Sequence, residues 1–152
     1  MTENAEATRT VRAALEVAAP ASVVFELIAD PSHQPRWDGN DNLAEAPPDQ
    51  RVRRVGDVFT MILSSGSVRE NHVVEFEEGR RIAWLPADLD SPPAGHLWRW
   101  ELEPAGDATT RVTHTYDWSQ LTDEKRFVRA RSTSSEDLHA SLVRLARLAA
   151  QH

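Results

Sequence analysis

Between Thr10 and Val17 apolar and polar side chains take turns, with Val11, Ala13, Leu15 and Val17 on one face and Arg12 and Glu16 on the other. A period of two predicts a half-buried strand. The spacing then lengthens. Val24, Phe25 and Ile28 make the stripe of a helix over 20–29, opened by Pro20, whose missing N–H has no partner in a first turn. Asp30-Pro31 ends it, because the residue before proline is pushed out of the helical region. A further short helix is expected over 32–37, with Trp37 docking as a plug, and then a loop over 41–50 with a short strand near 43–46.

Strand signals follow in quick succession. Residues 57–64 alternate around Phe59, Met61 and Leu63, and Ser65-Gly66 is a turn. Residues 68–77 place Val68, Glu70, His72, Val74 and Phe76 on one face, and Glu78-Gly79 turns the chain into 81–86, which carries Ile82 and Trp84. The Pro- and Asp-rich stretch 87–95 reads as a loop beside the inner face, placed to gate an entrance. Strand 96–103 sets His96, Trp98, Trp100 and Leu102 against Leu97, Arg99, Glu101 and Glu103. Strand 109–118 sets Val112, His114, Tyr116 and Trp118 against Arg111, Thr113, Thr115 and Asp117. After Gln120 the helical period returns, first over 122–130. A second helix runs from a capping box at Ser134 and Asp137 to about Ala150, with Leu138, Leu142, Leu145 and Ala149 as its stripe. A sheet with one apolar face must cover it, and the last helix is the longest element available to do so.

Length and charge narrow the functional classes. The 152 residues suit one domain, with 1–9 expected as a flexible tail. A formal charge of −7 argues against nucleic acid and against an anionic membrane surface. No apolar run nears the roughly 18 residues of a spanning helix. With no cysteine there is no disulfide frame, thiolate nucleophile or Cys-based metal site, so the cytoplasm is the expected compartment. No cofactor is implied. No metal site is expected either, because His72, His96 and His114 fall about 10 Å or more apart in the register below. Ser64-Ser65-Gly66-Ser67 is turn chemistry rather than a nucleophile elbow.

Several segments carry a family likeness. The run Leu15-Glu16-Val17-Ala18-Ala19-Pro20 leads into the Val-Phe helix, followed by Asp30-Pro31, Trp37-Asp38 and Val55-Gly56-Asp57-Val58-Phe59. Together they resemble the START/Bet v 1-like (SRPBCC) superfamily, and within it the bacterial polyketide cyclase/dehydrase-like branch. The resemblance implies an α+β helix-grip fold: a curved antiparallel sheet of about seven strands wrapped around a long C-terminal helix, with two short helices after the first strand. It also implies an internal cavity, while leaving function open, since fold does not carry function with it.

The hairpin turns set a register, and the register sets the cavity wall. One expected layer joins Val74, Trp84, Trp98 and Tyr116. A second joins Phe76, Ile82, Trp100 and His114, and a third His72, Pro86, His96 and Trp118. A one-residue slip would invert every face. Met61, Glu70, His72, Val74, Trp84, Trp98, Trp100, His114, Tyr116, Leu138 and Leu142 are therefore the candidate ligand contacts. Three indoles on one concave face are bulky and their N–H groups want partners, which a pocket with a few polar groups provides. The leading expectation is a binder or carrier of a small hydrophobic molecule, such as a lipid, a polyketide-like aromatic or an isoprenoid. The alternative is a cyclase, aromatase or dehydrase in which Glu70 with His72, or Tyr116 with His114, moves protons. A regulatory interaction module is a third class. The chain is expected as a monomer or homodimer.

Overall fold

The computed structural model describes residues 9–38 and 43–151. The expected tail lies outside them except for Arg9, as do residues 41–42 of the expected loop. Seven strands form one antiparallel sheet: β1 (Thr10–Val17), β2 (Leu43–Glu45), β3 (Val58–Leu63), β4 (Val68–Glu77), β5 (Arg81–Asp88), β6 (Leu97–Gly106) and β7 (Thr109–Asp117), in the order β1-β7-β6-β5-β4-β3-β2. Two short helices, α1 (Ala21–Ala29) and α2 (Gln34–Trp37), follow β1. After β7 come α3 (Phe127–Ser132) and the long α4 (Ser135–Ala149). The sheet curves around α4, as the sequence predicts for a helix-grip fold.

Local chemistry explains the breaks. Pro20 caps α1, and the Asp30 carboxylate beyond it accepts from the Ser32 amide at 3.1 Å and the Ser32 hydroxyl at 2.8 Å. Ser134 and Asp137 form the expected capping box: the Ser134 amide donates to Asp137 Oδ2 at 2.8 Å, and the Asp137 amide to Ser134 Oγ at 3.3 Å. The buried stripe of α4 packs on β1 and α1 and closes the concave face. Among the described residues no helix is long and apolar enough to cross a membrane.

The ladders from β5 to β7 keep the expected register. Trp84 pairs with Trp98 and Trp98 with Tyr116, while Ile82 pairs with Trp100 and Trp100 with His114. Strand β5 runs two residues further than expected, through Ala87 and Asp88, which shortens the predicted 87–95 loop. Beyond Trp84 it pairs only with β4, so Pro86 sits where the ladder to β6 has already ended, a position that tolerates a missing N–H.

Strand β4 departs from strict alternation. Phe76 pairs with Ile82 and Glu75 with Ala83, but the next pair is Val73 with Trp84, so Val74 is the extra residue of a β-bulge. Every residue before the bulge is turned over. Arg69, Asn71 and Val73 face inward, opposite Asp88, Pro86 and Trp84, while Glu70 and His72 pair with Ala87 and Leu85 on the outer face. On that outer face Arg99 grips Glu75, the residue after the bulge, with Nε and Nη2 bonds of 2.9 and 2.6 Å. This bidentate pair holds the Glu75 carboxyl below its ordinary range and fixes the strand just past the kink.

Candidate functional site

A cavity of about 590 Å³ lies between the concave sheet, α2, α3 and α4. The paired layers of the sheet order its lining residues along the strands. Residues two apart on one face step by roughly 6.6 Å.

At the closed end sit Trp100 and His114, with Trp37 pressed edge-on against Trp100 at 5.1 Å. The Trp37 Nε1–H donates to the Leu27 carbonyl at 2.8 Å, which makes it the plug the sequence predicts. Trp100 stacks on His114 at 3.6 Å with planes 14° apart, and its own buried Nε1–H has no partner among the described residues. The next layer is Trp84, Trp98 and Tyr116. Phe59 meets Trp84 edge-on at 5.2 Å, and Tyr116 lies 4.3 Å from Trp98. Asn71, Pro86 and His96 form a band beyond it, and Arg69 and Asp88 face each other at the mouth. Helix α4 supplies Leu138 and Ser141 from the opposite wall, and the segment around α3 supplies Arg126, Arg129 and Ala130.

Burial governs the protonation of the polar groups. The His114 Nδ1–H donates to the Arg99 carbonyl at 3.0 Å, and burial pushes the ring pKa down to about 3. The imidazole is thus neutral, with Nε2 left as an acceptor. Burial also pushes His96 down to about 4, helped by the nearby charges of Arg126, Arg69 and Arg129. Tyr116 is pushed up to about 12, again chiefly by burial, and keeps its proton. His114, His96 and Tyr116 are therefore uncharged near neutral pH. Charge gathers at the mouth, where Asp88 pairs with Arg69 and, at 2.7 Å, with Arg126, which also reaches Asp123 at 3.5 Å.

Of the candidate contacts, Met61, Trp84, Trp98, Trp100, His114, Tyr116 and Leu138 line this cavity. Glu70, His72 and Val74 do not, and the bulge is the reason. Glu70 accepts the Asp90 amide at 3.1 Å on the outer face, His72 pairs with Leu85 there, and Val74 is 39% exposed. The expected third layer therefore has Asn71, not His72, beside Pro86, and the first has Val73 in place of Val74. Leu142 is fully buried but packs in the core with Val17, Val24 and Leu145, about a turn round α4 from the wall. Sequence reasoning missed Asn71, Arg69 and Asp88. The adjacent pair Val73-Val74 was the signal, since two neighbouring apolar residues break a period of two. Among the described residues no cluster of His, Asp and Glu is arranged to hold a metal ion.

Known proteins resemble this chain in sequence or in fold. The chain is 32% identical over 111 residues to the uncharacterized protein Rv0088 of Mycobacterium tuberculosis, a match covering 71% of this chain and 47% of that one. The chain thus spans about half the length of the curated relatives it matches. Protein NE0264 from Nitrosomonas europaea has the same fold, with a TM-score of 0.71 at 18% identity over 95% of this chain and 96% of that one. Norcoclaurine synthase from Thalictrum flavum, solved with dopamine and hydroxybenzaldehyde, gives 0.63 at 14% identity over 94% and 87%. At such identities the likeness is one of fold alone. The sequence itself matches the polyketide cyclase/dehydrase and lipid transport family over residues 8–150. With the helix-grip sheet and its cavity on the same residues, the chain belongs to that family, within the SRPBCC superfamily.

Proposed function

We propose that this chain binds a small hydrophobic, ring-bearing molecule in its cavity and carries it without making or breaking a bond. The observation that carries this reading is a space of about 590 Å³ walled by Trp37, Trp84, Trp98 and Trp100. That volume suits a drug-sized ligand, and burial of its apolar area at about 25 cal/mol per Å² supplies the driving force. Indole faces favour a planar partner. The hydroxyl of Tyr116 and Nε2 of His114 are the orienting groups.

The protonation states favour carriage over chemistry. A general acid or base works best with a pKa near the working pH, whereas His114 at about 3, His96 at about 4 and Tyr116 at about 12 are far from neutrality. Glu70, the one carboxylate proposed as a base, faces away from the cavity.

The test is a titration with N-phenyl-1-naphthylamine, an uncharged probe that brightens in apolar surroundings. The expected result is saturable one-to-one binding, with tryptophan emission quenched in step by energy transfer. A linear, non-saturating response would remove the ligand reading. Leu138→Trp, which fills the wall from α4, should abolish the signal while leaving the circular dichroism spectrum intact.

A further inference from the structure

The bulge at Val74 gives the cavity a polar wall residue, Asn71, that strict alternation would have kept out of it. Asn71 is 5% exposed and lines the cavity; its amide makes no hydrogen bond to a described residue, and its polar atoms are not fully buried but open on the cavity. Buried polar side chains are nearly always paired, because leaving an amide unpaired forfeits its hydration with nothing in return. The Asn71 amide keeps open surface toward the cavity and has no partner among the described residues, so it is free to meet whatever fills the cavity. Bulges recur beside binding sites for this purpose: one extra residue re-aims the side chains that precede it.

The surroundings specify the partner's chemistry. Within the cavity wall Asn71 lies beside Pro86, one step along the strands from the Val73, Trp84, Trp98 and Tyr116 layer. Its amide both donates and accepts. Toward the closed end the Tyr116 hydroxyl and the His114 ring are uncharged near neutral pH, and the carboxylates of Asp38 and Asp137 also line the cavity, which disfavours a second anion. Toward the mouth Arg69 and Arg126 are already engaged with Asp88, while Lys125 and Arg129 also line the cavity. An anion at this depth would lose its hydration and meet the carboxylates Asp38, Asp88, Asp123 and Asp137 of the same lining, against which only Lys125 and three arginines count in its favour. A neutral hydroxyl or carbonyl would find a matched partner.

We infer that Asn71 reads an uncharged oxygen, a hydroxyl or a carbonyl, on an aromatic ligand whose ring lies against Trp84 and Trp98. This inference rests on the proposed function, since it names the class of molecule that the same cavity takes. It sets neutral phenols and aryl ketones above both plain hydrocarbons and carboxylate amphiphiles.

Three probes of one shape separate the possibilities: naphthalene, 2-naphthol and 2-naphthoate, each followed by quenching of tryptophan emission. The wild-type chain should bind 2-naphthol about tenfold more tightly than naphthalene, as one good hydrogen bond is worth, and 2-naphthoate more weakly than 2-naphthol. Asn71→Leu should erase the preference for 2-naphthol while leaving naphthalene affinity within twofold. The unliganded variant should melt at or above the wild-type temperature, because it exchanges an unpaired amide for an apolar group of similar size. Asn71→Ala carries the same binding expectation should leucine overfill the wall. Equal affinity of the wild-type chain for naphthalene and 2-naphthol overturns the inference, and so does tighter binding of 2-naphthoate. A parallel loss of both neutral probes in the variants marks Asn71 as structural and also overturns it. If naphthalene itself fails to bind the wild-type chain, the cavity reading fails first, and that outcome is distinct from the others.

Discussion

The two ends of the cavity are built on different physics. At the closed end, rings hold rings: Trp100 lies 3.6 Å from His114 and 5.1 Å from Trp37, and both Trp100 and Trp37 are almost wholly buried. At the mouth, charges hold charges. Asp88, with its side chain 48% exposed, ties Arg69 on β4 to Arg126 beside α3. Close packing is rigid and energetically large, whereas ion pairs in contact with water are worth little and break easily. Stability should therefore concentrate at the closed end, and access should be decided at the mouth.

The largest expected effect follows from truncating the closed end. Trp100→Ala removes a fully buried indole that touches Trp37 and His114, and few neighbours can collapse into the space. A loss of about 3–5 kcal/mol is expected from urea unfolding. A loss below about 1 kcal/mol would mean that the closed end is not where the fold keeps its stability.

His114 gives the next effect, through pH. Its folded pKa of about 3 lies below the ordinary value of 6.5, so the unfolded chain takes up a proton that the folded chain refuses. Its contribution to stability is complete above pH 6.5 and is lost as the pH falls toward 3. Between pH 6.5 and 4 this one ring should account for about 3 kcal/mol. His96, lowered to about 4, adds to the same window with the same sign. His114→Phe keeps the stack on Trp100 and removes the titration, so stability plotted against pH should flatten by about half. A slope unchanged from the wild type would show that the ring is protonated in the folded chain.

These expectations draw on parts of the molecule that were unequally legible. The wall from β5 to β7 could be read directly, because His114, Tyr116, Trp98 and Trp100 sit in uninterrupted ladders where period two is enforced by the pleat. The capping box on α4 and the Trp37 plug were legible for a similar reason, each being a local rule with a local signature. The β4 wall was not, since a single inserted residue leaves the composition of the strand unchanged and inverts all that precedes it. Glu70 and His72 were lost to the outer face by that inversion, and Asn71 and Arg69 gained. Nor could the mouth be read: the pairing of Asp88 with Arg126 joins residues 38 apart through a helix whose placement no periodicity determines.

The mouth yields the smallest change in stability and a separate kinetic one. Asp88→Asn keeps the side-chain shape while releasing both Arg69 and Arg126 from their shared carboxylate. With the aspartate half exposed, the loss in folding stability should stay below about 1 kcal/mol. The segment carrying Arg126 has other anchors, among them the Phe127 ring 5.8 Å from Trp118 and the Arg9 guanidinium lying over both rings, so it should remain folded. What changes is the tie across the opening. In stopped-flow mixing with N-phenyl-1-naphthylamine, Asp88→Asn should associate and dissociate several-fold faster, with the equilibrium affinity nearly unchanged because the rings proposed to bind the probe are untouched. Added salt should speed the wild-type chain toward the variant, since it screens the same ion pairs. If the variant instead alters affinity and leaves both rates alone, Asp88 belongs with the binding wall, and the division between a closed end that binds and a mouth that admits has to be redrawn.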